Sequence, residues 1–224
     1  PLATSLPFRD WSQCPCCATD ISKDFRGQHV LSCSGAGHFA RRERHQAVVH
    51  AVSDLLRAVG SAHSLGPHAA GIPIDPSSGQ APDIFEFDVV INGFPVASDV
   101  SIVTANSQAP SQVSALHEAA TWPSTRPKHC PALCHRREKA KHKKYNDACQ
   151  RNDYSFQPLV FTDIGGAPGP ATRRHVRCIA KSCRDSCDPW IFWIRFRQIS
   201  AAVSLGSFRV ARSVRAAMLS ADRF

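Results

Sequence analysis

Residues 81–103 read APDIFEFDVVINGFPVASDVSIV, and the fold turns on them. Ile84–Ile91 and Val96–Thr104 are rich in β-branched and aromatic residues, and Asn92-Gly93 between them is a strong hairpin signal. A two-residue turn there pairs Ile91 with Phe94. On that register Phe85, Phe87, Val89 and Ile91 line one face together with Val96, Val100 and Ile102, and Asp99 falls opposite Glu86.

Acidic residues in such a hairpin call for an explanation. Asp83 stands at the entry to the first strand, after Pro82, and Asp99 lies inside the second strand between apolar neighbours, where a carboxylate seldom serves stability. Two converging carboxylates are the donors that hold a divalent cation for phosphodiester cleavage. The simple register gives Asp83 the wrong parity, which leaves two arrangements: a bulge or a longer loop brings Asp83 round to Asp99, or Glu86 is the companion of Asp99.

Outward from the hairpin, Val48, Val49, Val52, Leu55, Leu56 and Val59 recur at helical spacing, predicting a helix from about residue 39 to 59 with Gly60 as its stop. The stretch 60–80 reads as loop, rich in Gly, Pro, Ser and His. After the hairpin, a proline-rich loop holds a short helix over Val113–Ala120, and residues 134–150 form a strongly basic helix. Phe156–Phe161 is a further strand, ended by Gly165-Gly166. Two helices follow, over about 171–186 and 189–219. This pattern gives a mixed α/β (α+β) domain.

The 224 residues carry Lys+Arg 27 against Asp+Glu 18, a formal net charge of +9, which favours a polyanionic partner. A membrane is disfavoured: no apolar run reaches the roughly 18 residues needed to span one, and no signal-peptide pattern opens the chain. Pro1 stands first and Met218 is the single methionine, so an upstream partner domain is expected.

The ten cysteines include a paired pattern near the start. Cys14-x2-Cys17 followed by His29-x3-Cys33 has the spacing of a four-donor zinc knuckle, with Cys16 as the rival to Cys14 beside Cys17. Such a site needs reduced thiols, hence an intracellular, reducing setting. The groups His129, Cys130, Cys134, His135 and Cys178, Cys183, Cys187 lack two clear ligand pairs, and read more simply as ordinary helix and loop residues.

Arg41, Arg42, Arg44 and His45 crowd the first turns of the helix after the knuckle, where the macrodipole disfavours cations. A phosphate backbone would offset them, Arg presenting a bidentate fork to it; a merely solvated face is the plainer alternative. Farther on, Lys141, Lys144 and Tyr145 are spaced at three and four and share a helix face. A lysine there can orient an attacking water or stabilise developing charge, although Arg136, Arg137, Lys139 and Lys143 make it part of a wider basic run.

The order of these motifs resembles the C-terminal region of site-specific non-LTR retrotransposon polyproteins, a zinc knuckle and restriction-like endonuclease that follow a reverse transcriptase. The stretches that carry the resemblance are Cys14-x2-Cys17 with His29 and Cys33, Arg44-His45, Ala81-Pro82-Asp83-Ile84, Asp99 to Val103, Lys141 to Tyr145, Phe156-x-Pro158-x-Val160 with Gly165-Gly166, and the aromatic helix from Trp193 to Arg212. It implies a PD-(D/E)xK core, a small mixed sheet flanked by helices, and three regions: a knuckle over 1–38, a nuclease core over 39–170 and a helical extension over 171–224. It further implies structural Zn2+, catalytic Mg2+ on Asp83 and Asp99, and Lys141 or Lys144 as the assisting lysine, because Ser101 occupies the usual lysine position. DNA, element RNA and the upstream reverse transcriptase would be the partners, in the nucleus. The chain departs from the pattern at Gly66-Pro67-His68, where a glutamate is frequent, and at Thr162-Asp163, where Glu-Thr is frequent. The rival readings are a nucleic-acid-binding module without cleavage and a structural domain that packs its aromatic tail, with Trp190, Trp193 and Phe196, on a missing partner.

Overall fold

The computed structural model describes residues 13–21, 29–33, 35–66, 81–104, 129–163, 165–182 and 188–221. The short helix expected over Val113–Ala120 lies outside them. In chain order the elements are α1 (His29–Ser32), α2 (His38–Ala58), β1 (His63–Leu65), β2 (Ile84–Ile91), β3 (Phe94–Val103), α3 (His129–Gln150), β4 (Ser155–Thr162), α4 (Pro170–Ser182) and α5 (Pro189–Ala221). The sheet order is β1-β2-β3-β4, antiparallel except for β3 with β4. That parallel pair needs a long crossover, which contains α3.

Helix starts follow their local chemistry. Asp188 accepts the Trp190 N–H at 2.7 Å as the N-cap of α5, and Pro189 and Pro170 take the first positions of their helices, where no N–H partner is lost. For the same reason Pro131 does not delay α3, which begins five residues before the expected 134. The first turn of α4, whose N–H groups have no partner within the helix, is met from another helix: Glu138 on α3 accepts from Ala171 N at 2.9 Å.

The Asn92-Gly93 turn forms with both φ angles positive, as a tight hairpin requires, and Ile91 pairs with Phe94. Beyond Val90–Pro95 the simple register fails. Glu86 pairs with Val96, so Phe87, Asp88 and Val89 have no counterpart on β3. Pro95 has no N–H to give the ladder, and the displaced segment bonds the other way: Phe87 N donates to Ala62 O, and Asp88 accepts from Ala62 N. This bulge reverses the facing of everything N-terminal to it. Phe85 therefore lies on the opposite side from Val96 and Val100, and Phe87 is partly exposed, which corrects the single apolar face expected from the sequence. The stretch expected to be loop from residue 60 also contributes strand β1, three residues too short to show periodicity.

Helices cover both faces of the sheet. On one side Phe85, Ala97 and Phe156 pack with Tyr145 and Cys149 of α3. On the other, Ile84, Val89, Val96, Val100, Leu159 and Phe161 meet Val48, Val52, Leu55 and Leu56 of α2, Val176 and Ile179 of α4, and Phe192, Ile199 and Val203 of α5. The long α5 runs along α2 and approaches it closely at Gly206, where a Cβ would fall 2.4 Å from Arg44 Cγ. Its far end, Val210, Val214 and Met218, covers Cys14, Val30, Cys33 and Ala40. Among the described residues, no helix is long and apolar enough to cross a membrane.

Candidate functional site

The bulge decides which carboxylates meet. Continued past Ile84–Ser98, the register sets Asp83 across from Asp99, and Asp83 N donates to Ser98 O at 2.9 Å. Both residues line one cavity of about 460 Å³, together with Arg41, Arg44 and His45 of α2, Ser101 of β3, and Arg137, Lys141 and Tyr145 of α3. Glu86, the alternative companion, is on the other face. It is fully buried and accepts from Ser98 Oγ at 2.8 Å and from His175 Nε2 at 2.9 Å, so it is not a donor to this cavity.

The chain's own side chains hold each carboxylate. Lys141 Nζ lies 2.7 Å from Asp99 Oδ2. Asp83 Oδ2 accepts from Val100 N at 2.8 Å and lies 3.2 Å from His45 Nε2, which is also 3.2 Å from Val100 O. Burial raises the Asp99 carboxyl above its usual range; Lys141 opposes the rise and Asp83 adds to it. The hydrogen bond to Asp83 raises His45 despite its burial. Tyr145 is raised by burial and by the Asp99 charge, so its hydroxyl remains a proton donor to that carboxylate.

Of the candidate lysines, Lys141 reaches the cavity. Lys144 is exposed and stands over the Tyr145 ring at 4.9 Å from its centroid. Arg42 is likewise exposed and does not line the cavity. Sequence reasoning singled out Lys141 and Tyr145 but passed over Arg137, although 137, 141 and 145 form an i, i+4, i+8 series along one helix face. Arg44 is almost wholly buried, donates to Ser207 Oγ at 3.0 Å and feels the charge of Asp163. The Thr162-Asp163 departure thus supplies a buried acid beside Arg44. Gly66 donates its N–H to Asp83 O, while Pro67 and His68 lie outside the described residues.

The second cluster is the knuckle. Cys14, Cys17, His29 and Cys33 bring one donor atom each to within 4.8 Å of one another. Cys14 N donates to Thr19 O and Ala18 N to Cys14 O, folding the Cys14–Cys17 turn, while α1 sets His29 one turn before Cys33. The Cys14 and Cys33 sulfurs are 3.8 Å apart, and Cys17 Sγ is 3.2 Å from His29 Nε2. Thiolates on a tetrahedral zinc at ~2.3 Å would stand ~3.8 Å apart, so the donor set fits that ion. The rival Cys16 is outside the four-donor group. Of the weaker cysteine groups, Cys134 is buried on α3 and Cys178 is exposed on α4, while the side chains of His129, Cys130, Cys183 and Cys187 lie outside the described residues.

No family model matches the chain, and no curated protein matches it.

Proposed function

We propose that this chain is a metal-dependent DNA endonuclease domain with a PD-(D/E)xK-type core. The observation that carries the reading is the meeting of Asp83 before β2, Asp99 of β3 and Lys141 of α3 in one cavity rimmed by arginines. A carboxylate pair beside a lysine is the donor set that phosphodiester hydrolysis uses, and arginine forks suit the backbone of its substrate.

A divalent cation such as Mg2+, bound by Asp83 and Asp99, would supply an activated water and charge for the departing oxygen. The chain's residues do the rest. Val100 N and His45 orient Asp83 through Oδ2. Lys141 Nζ is held at Asp99 and can donate to a phosphoryl oxygen as negative charge grows there. Arg41 and Arg137 offer donors to the flanking phosphates, while the Arg44 guanidinium is turned inward to Ser207. The knuckle would hold Zn2+ as a structural ion that stiffens the approach to α2. The order of motifs favours a retrotransposon setting, with nicked target DNA priming synthesis by an upstream reverse transcriptase in the nucleus.

The direct test is nicking of supercoiled plasmid in magnesium. Wild type is expected to relax it and Asp99→Ala to leave it intact; equal nicking by the two overturns the assignment. A second reading, a binding module without cleavage, is favoured by the intramolecular partners that both carboxylates already have. It predicts binding that weakens steeply with salt and no magnesium-dependent nicking.

A further inference from the structure

Arg41 joins the two clusters. Its Nη1 donates to Cys33 O at 2.5 Å and to Ala36 O at 3.0 Å, and the same side chain lines the cavity with Asp83, Asp99 and Lys141. Cys33 is one of the four knuckle donors. The carbonyls that hold Arg41 therefore belong to the segment that leads out of the metal cluster. That segment is clamped from the other side as well: a Cβ on Gly35 would fall 1.8 Å from Cys16 O, so the Cys14–Cys17 turn sits directly on it. Among the described residues no carboxylate pairs with Arg41. A guanidinium has five N–H donors, and Nη1 uses two at most on the carbonyls, so Nε and Nη2 keep donors for an anion in the cavity.

We infer that Arg41 is a phosphate-binding group whose position is set by the Cys/His knuckle, so that metal loading of the knuckle and nucleic-acid binding in the cavity are coupled. The inference rests on the nucleic-acid reading of the cavity. Small metal-pinned units lose their order without the ion, and here that would release the Cys33 and Ala36 carbonyls and with them the Arg41 side chain. The hydrophobic cluster between sheet, α2, α4 and α5 contains no knuckle residue, so the cavity's other walls have separate support. Coupling of this kind is reciprocal: zinc tightens DNA binding by the factor by which DNA tightens zinc binding.

The test uses the full chain without magnesium. Anisotropy of a fluorescein-labelled DNA duplex is measured with zinc-loaded and zinc-free protein, and zinc affinity is measured against a chromophoric chelator with and without saturating duplex. Wild type is expected to show a factor of about ten in both directions. Arg41→Ala should still take up zinc while both factors fall below about two. Arg41→Lys keeps the charge without the fork, so it should bind duplex and lose the coupling. Arg42→Ala, which removes an exposed charge on the same helix, should lower affinity and keep the zinc factor. A wild-type zinc factor in both Arg41 variants, or a wild type indifferent to zinc, overturns the inference and leaves the cavity reading standing. Failure of the zinc-loaded wild type to bind duplex at all sinks the cavity reading itself.

Discussion

Lys141 Nζ stands 2.7 Å from Asp99 Oδ2, and the pair ties α3 to the middle of β3 at the wall of the cavity. Asp99 is 4% exposed, so without the ammonium its charge would be buried and uncompensated. Lys141→Met should therefore destabilise the fold by on the order of 3 kcal/mol in urea denaturation at neutral pH. Adding Asp99→Asn to that variant should recover most of the loss. A double variant no more stable than the single one would mean that the ion pair is not what compensates the carboxylate.

His45 bonds Asp83 as well as the Val100 carbonyl, and the Asp83 interaction lifts its pKa above the ordinary histidine value. A group raised in the folded state adds stability in full below its unfolded value of about 6.5, and the contribution is lost as pH rises through the folded value. The melting-temperature gap between wild type and His45→Gln should therefore be wider at a pH of about 6 than at about 9. A gap that does not vary with pH would rule out a charged His45 as the source of the stabilisation.

The knuckle geometry selects Cys14 over Cys16. Zinc content, read with a chromophoric chelator after thiol oxidation, should be about one ion per chain for wild type and Cys16→Ser and should collapse for Cys14→Ser. Equal loss in the two serine variants would contradict the ligand set built from Cys14, Cys17, His29 and Cys33.

Gly206 lets α5 lie against the α2 backbone, since a Cβ there would meet Arg44 Cγ at 2.4 Å, Cβ at 2.8 Å and Cα at 3.2 Å. Alanine gains about 1 kcal/mol of helix propensity over glycine, but it must push the two helices apart. Gly206→Ala should come out about 1–2 kcal/mol less stable in chemical denaturation. A more stable variant would show that the Arg44 side chain yields at little cost.

The sequence by itself determined what depends on near neighbours. The Val48–Leu56 periodicity located α2, Asn92-Gly93 located the hairpin turn, and the spacing of Cys14, Cys17, His29 and Cys33 picked out the four donors that gather in space. It also narrowed the acids to Asp83, Glu86 and Asp99 and the lysines to Lys141 and Lys144. Tertiary structure decided which of them share one cavity. Strand parity depends on how many residues a bulge absorbs, and here that number is set by the hydrogen bonds that Phe87 N donates to Ala62 O and Asp88 accepts from Ala62 N, Ala62 being more than twenty positions earlier and in no periodic segment. That bulge turned Asp83 toward Asp99 and set Glu86 on the opposite face, against His175. Arg137 shares the i, i+4, i+8 face of Lys141 and Tyr145, but the run of like charges around it masks that series, and the packing of α3 is what sets this face against the cavity. Periodicity and turn chemistry are short-range properties of the chain; register and facing are settled by contacts between distant segments, and the carboxylate pair depends on the latter.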